Sequence, residues 1–197
     1  APLYSEDYQE IDHPTGSTYG FEGSLASVKR LLRSRDARLY HEPLATLGES
    51  LYLSRRIVRA SGTGDGRFDV GEYESEAISL VEVDERRRCI RQEVFATDHL
   101  ADAIIRLYEL RAEQLPEGRS KQRIAEISRT IAKMYHGLVD PNHLENPFSA
   151  DIEMVDHRRV GLGIVHGAES VLDAVRAFVE LVRDAAWRTD DVLALTE

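Results

Sequence analysis

The chain has 197 residues, 42% of them hydrophobic and 30% charged, which is enough apolar material for one large or two small globular domains. A formal net charge of −10 leaves no broad basic footprint for nucleic acid or an anionic membrane, so neither is expected as a partner. The single cysteine, Cys89, excludes an intrachain disulfide framework and a zinc site built from several thiolates, and it fits a reducing cytoplasm. No apolar run reaches the length of about 18 residues needed to span a membrane. An N-terminus with neither Met nor an apolar targeting segment points to processing or to a longer parent chain.

In chain order, the alternation over Tyr8 to His13 predicts a short strand, and Pro14 to Gly20 is rich in turn residues. Gly23-Ser24 is expected to cap a helix over Leu25 to Arg33, with Leu25, Val28, Leu31 and Leu32 at helical spacing. Four strands follow: Arg38 to Leu47, Leu51 to Ala60, Tyr73 to Val83 and Cys89 to Ala96. Their links are short, so an antiparallel meander is expected. The link Gly62-Thr63-Gly64-Asp65-Gly66 joins two strands and opens no helix, which makes it a hairpin loop and not a phosphate cradle. The period then changes to helical over Leu100 to Leu115 and Lys121 to Leu138, interrupted at Pro116-Glu117-Gly118. A further helix over Ala168 to Val182 and a strand over Trp187 to Leu195 complete the chain.

The sequence repeats itself. Tyr4 to His13 matches Phe148 to His157 at an offset of 144, ending in both copies on an Asp-His pair. Gly23-Ser24 falls on Gly167-Ala168 at the same offset, and Ala37 to Glu49 matches Ala185 to Glu197 after a four-residue insertion. A unit of roughly 145 residues does not fit twice into 197, so the chain holds the later part of one copy and the earlier part of the next.

The stretch Phe148-Ser149-Ala150-Asp151-Ile152-Glu153-Met154-Val155-Asp156-His157, the later Gly167 and the long amphipathic helix resemble the SnoaL-like division of the nuclear-transport-factor-2-like (NTF2-like) superfamily. The strand ending Glu93-Val94-Phe95-Ala96, followed by Asp98 and Leu100, resembles the last strand of such a unit in bacterial tandem versions. The resemblance implies an α+β fold, a cone-shaped curved antiparallel sheet packed by helices, with a partial second copy. On this reading residues 1–110 form a first unit lacking its leading helices, and 111–197 supply helices and the first half of a second. The helices between Leu100 and Leu138 are then expected to fold back over the first sheet or to swap into a partner chain. A strand edge at Trp187 to Leu195 points to a homodimer.

Members of that superfamily include cofactor-free isomerases, cyclases and epoxide hydrolases as well as ligand-binding modules, and fold alone does not choose among them. By resemblance, Asp12 and Asp156 occupy the position of a general base, with His13 and His157 as partners. Adjacent strand residues point to opposite faces, so one member of each pair can face a pocket directly. The alternative is that each pair ends its strand and ties down the following loop. The isomerase branch implies a helical tyrosine near Ala132, with Tyr135 one turn away, and a second acid near Ser79. The epoxide-hydrolase branch implies a cation, for which Arg55 and Arg56 are available. Tyr52, Phe68, Tyr73 and Phe95 lie on sheet segments that can line a pocket, with Arg56 and Tyr135 as further ligand contacts. His99, His136, His143 and His166 show no helical pairing with another ligand, so neither metal nor cofactor is expected. Two functions follow: a binding or sensory module for a small hydrophobic molecule, of the kind attached to larger bacterial regulatory proteins, or a cofactor-free enzyme acting on a small hydrophobic carbonyl compound or epoxide.

Overall fold

The computed structural model describes residues 3–61, 72–139, 146–158, 161–181 and 189–196. The glycine-rich link 62–66, Phe68 and Trp187 lie outside the described residues. The chain opens on a hairpin of β1 (Tyr4–Asp12) and β2 (Ser17–Gly20), followed by α1 (Phe21–Leu32). Then come β3 (Arg35–Leu47), β4 (Leu51–Ser61), β5 (Tyr73–Val83) and β6 (Cys89–Phe95), which pair antiparallel in sequence as their short links dictate. The fold is α+β: a six-stranded curved sheet in the order β2-β1-β6-β5-β4-β3 with helices packed on it. Register shifts in β3, between Arg35 and Arg38 and between Pro43 and Ala45, mark bulges of the kind that bend a strand.

The sheet is not antiparallel throughout, because β1 runs parallel to β6. β1 also starts four residues earlier than the alternation predicts, and the reason is a bulge. Tyr4 lies opposite Cys89 and Gln9 opposite Arg91, so the intervening chain breaks the two-residue period. β2 occupies residues expected to form a turn, and α1 starts directly from it at Phe21 with Gly20 as cap. Ser24 is therefore a buried residue of the helix and not its cap.

After β6, a single 3-10 turn (Thr97–His99) leads into α2 (Leu100–Gln114), and α3 (Arg119–Val139) packs antiparallel to it. The apolar stripe of α2, including Leu100, Ala103, Leu107 and Leu110, closes on Leu51 and Leu53 of β4, Ile78 and Leu80 of β5, and Phe95. α2 thus does fold back over the first sheet, and this contact is the main core of the protein. The boundary expected at 110/111 falls inside α2, between core residues Leu110 and Ala112.

Strand alternation places α1 and α2 on opposite faces. Leu51 and Leu53 point to α2, whereas Ser54, Arg56 and Val58 point the other way. The tight β3–β4 turn needs Gly48, whose φ of +62° is left-handed and where a Cβ would stand 2.9 Å from the Arg111 guanidinium carbon of α2. Gly48→Ala is expected to cost about 1–2 kcal/mol from left-handed strain, read as a lowered urea midpoint.

The second copy repeats the opening motif in miniature. β7 (Glu153–Val155) and β8 (Ile164–His166) form a hairpin, and α4 (Ala168–Leu181) follows. Glu153, the repeat equivalent of Gln9, again pairs with the following strand, but its partner His166 lies two residues beyond the equivalent of Gly20, so the hairpin recurs with a shifted register. Residues 189–196 form no strand, contrary to expectation. They lie against the main core instead: Val192 and Leu195 pack on it, Arg55 donates to the Asp190 carbonyl at 2.8 Å, and the Tyr108 hydroxyl donates to the Thr196 carbonyl at 3.0 Å. The strand-edge argument for a dimer therefore does not hold at these residues. Among the described residues, no helix is long and apolar enough to cross a membrane.

Candidate functional site

The face of the sheet that α2 leaves uncovered, together with α1, encloses a cavity of about 470 Å³. Helical spacing aims Leu25, Val28 and Leu31 of α1 at it, and two-residue alternation aims Leu39 of β3 and Val58 of β4 from the opposite wall. One end is aromatic: the Tyr4 ring meets Tyr8 edge-on at 4.8 Å and Phe21 at 5.5 Å. An apolar wall with a few convergent polar groups is the usual build of a small-molecule site.

Besides Arg30 and several serines of the lining, polar side chains gather at two places in this cavity. On β1 and β6, the Tyr8 hydroxyl contacts Glu10 and Gln92, each at 3.3 Å. Burial, reinforced by the Glu10 charge, pushes the Tyr8 phenol far above its ordinary range, so it remains a neutral donor. On β3 and β4, His41 Nδ1 lies 3.2 Å from the Ser54 hydroxyl, and His41 is the cross-strand neighbour of Arg56. Burial first, and the Arg56 charge second, lower the His41 pKa and favour a neutral imidazole.

Of the residues expected at the site, Arg56 and Tyr73 line this cavity. Tyr52 is on the same sheet face, opposite Val81, but outside the lining. Phe95 points to the other face and belongs to the main core. Tyr135 of α3 accepts a hydrogen bond from Thr189 at 2.5 Å, remote from the cavity, and Phe68 is outside the described residues.

The Asp-His pairs divide as alternation requires. Asp12 is on the cavity face, but its carboxylate accepts the Thr15 backbone N–H at 3.0 Å and closes the β1–β2 turn. His13 goes to the opposite face, where it stacks on Phe95 at 4.2 Å and meets the buried Glu93 carboxylate at 2.8 Å. Asp156 accepts the backbone N–H groups of Arg158 and Leu162 and pairs with the Arg158 guanidinium at 2.6 Å. That pairing, led by the Arg158 side chain, holds its carboxyl well below the usual carboxylate range, the reverse of what a general base near neutrality needs. Gly161 makes the loop possible, since a Cβ there would sit 2.6 Å from the Asp156 carboxyl. Asp156 and His157 border a smaller cavity of about 280 Å³ under α4, walled by Val175 and Phe178.

Tyr8, Glu10, His41 and Gln92 were not anticipated as site residues. The signal for two of them was present, because counting back by twos from Asp12 gives Glu10 and Tyr8 on one strand face.

No family model and no curated protein matches this chain. Solved structures are similar over about half of it. An NTF2-like protein of unknown function from Exiguobacterium sp. 255-15 is 9% identical over 47% of this chain and 75% of its own, with a TM-score of 0.36. A SnoaL-like polyketide cyclase, so named provisionally, from Jannaschia sp. CCS1 is 15% identical over 47% of this chain and 66% of its own, with a TM-score of 0.38. A phenazine biosynthesis-related protein from Pseudomonas aeruginosa is 19% identical over 47% of this chain and 64% of its own, also at 0.38. The chain thus spans slightly less than two thirds of the last two.

Proposed function

We propose that this chain is a binding module for a small, largely apolar molecule held between α1 and the open face of the sheet. The observation that carries the reading is the cavity of about 470 Å³, apolar on both walls and furnished with the Tyr8–Glu10–Gln92 and His41–Arg56 groups. Binding is favoured over turnover because the proposed bases have other roles: Asp12 closes a turn, and Asp156 is held ionised by Arg158 and two backbone N–H groups. A sensory role within a larger regulatory protein fits such a module.

The test is a thermal-shift screen of small hydrophobic ketones, lactones and aromatics, with every stabilising compound followed by mass spectrometry. A ligand at about 100 times its Kd stabilises the folded state by roughly 2.7 kcal/mol, which such a screen resolves. Compounds that stabilise the wild type are expected to emerge unconverted and to lose at least tenfold in affinity with Val28→Trp, which places a large ring over the cavity. Conversion of a compound by the wild type, lost in Asp12→Asn, would establish the enzyme reading instead.

A further inference from the structure

The cavity wall has an unusual charge arrangement. Arg55 and Arg56 are consecutive on β4 and therefore point to opposite faces. Arg55 has Glu42 at 3.8 Å; likewise Arg59 has Glu74 at 2.5 Å, Arg88 has Asp84 at 2.8 Å, Arg91 has Glu82 at 3.4 Å, and Arg106 has Glu93 at 3.0 Å. Among the described residues, neither Arg56 nor Arg30, the exposed second arginine of the lining, has a carboxylate within 4.0 Å, and of the two Arg56 is the half-buried one.

Strand register explains the difference. The acids Glu42, Glu74, Glu76 and Glu82 fall opposite Arg55, Arg59, Ile57 and Leu51, all on the α2 face. On the cavity face, Arg56 lies between His41 and Ala77 across the strands and between Ser54 and Val58 along its own. The one carboxylate lining the cavity, Glu10, is on β1, three strands away, at roughly 14 Å by strand spacing, and is in contact with Tyr8. In a chain of net charge −10, a half-buried guanidinium is thus kept apart from every nearby acid. Arginine stays charged under all ordinary conditions and presents a fork of donors matched to a carboxylate. Beside it, His41 has Nδ1 taken up by Ser54 and leaves Nε2 for a ligand.

We infer that the ligand of this cavity is an organic anion, with an apolar body against Leu25, Val28 and Val58 and a carboxylate paired with Arg56 and His41. The inference rests on the cavity being a binding site and adds the class of its ligand.

Matched probes separate the two claims: 2-naphthoate and its neutral isostere 2-naphthamide, titrated calorimetrically into the wild type, Arg56→Gln and Val28→Trp. In the wild type the naphthoate is expected to bind roughly ten to one hundred times more tightly than the amide, the usual range for a charge-assisted hydrogen bond. Arg56→Gln should abolish that preference, whereas Val28→Trp should weaken both probes alike and preserve their ratio. Equal wild-type affinities, or a preference that survives Arg56→Gln, would overturn the anion assignment and leave the cavity reading standing if Val28→Trp still blocks the amide. Failure of both probes to bind would overturn the cavity reading and the anion assignment with it.

Discussion

Leu107→Ala is expected to lower the free energy of unfolding by about 2–5 kcal/mol, the range for truncating a fully buried leucine. Leu107 has no exposed surface and lies in the centre of the α2 stripe, among Leu53, Ile78 and Leu80 of the sheet. A small domain is stable by only about 5–15 kcal/mol, so the loss is a large share of the whole. Urea denaturation measures it, and amide exchange locates it. Protection should fall across β4 and β5 together with α2, because they share one core. Destabilisation confined to α2 and α3, with β4 and β5 protected as before, would show that the helices are not the cover of this sheet.

Glu93→Gln is expected to cost about 3 kcal/mol at neutral pH, the low end of what removing one partner from a buried ion pair costs. Glu93 is 1% exposed and receives His13 at 2.8 Å and Arg106 at 3.0 Å, which ties β6 to the end of β1 and to α2. The low end applies because Arg106 is 25% exposed and keeps Glu109 and Glu113, each at 3.1 Å. Burial by itself would raise the Glu93 carboxyl, but the hydrogen bonds from His13 and Arg106 and their charges outweigh it, and the net shift is downward. A carboxyl with a depressed folded pKa contributes stability above its ordinary range and loses it as pH falls through the folded value. The difference between wild type and Glu93→Gln should therefore be full at neutral pH and narrow on acidification below the usual carboxylate range. A gap independent of pH would mean that the ionised carboxylate is not what holds these elements together.

The meander β3–β6 and the helices α2, α3 and α4 were legible within a few residues, since each shows a sustained two-residue or helical period bounded by Gly, Pro or charged turns. The opening hairpin was less so. Ser17–Gly20 is too short and too polar to show a period, and the bulge after Tyr4 breaks the period of β1. Parallel pairing of Ile11 with Glu93, some 80 residues apart, leaves no local pattern at all.

The site was half legible for a related reason. Arg56 and Tyr73, conspicuous in sequence as a polar and an aromatic residue on sheet strands, line the candidate cavity. Phe95 looks the same in sequence, yet it faces α2, and Tyr135 is bonded to Thr189. The Asp-His pairs drew notice because they repeat, and what repeats is the loop each aspartate closes: Thr15 N–H on Asp12, and Arg158 and Leu162 N–H on Asp156.

Local order carried the element types, the duplication and the segregation of Arg55 from Arg56, because strand and helix periods are properties of neighbouring residues. The choice of face was not a local matter. The apolar stripe of α2 requires burial, but the hydrophobic effect is non-directional and both sides of the sheet offer apolar surface. Packing α2 against Leu53 and Leu80 left the α1 side open, and that placement turned Leu39, Arg56 and Val58 into the wall of a cavity instead of a core.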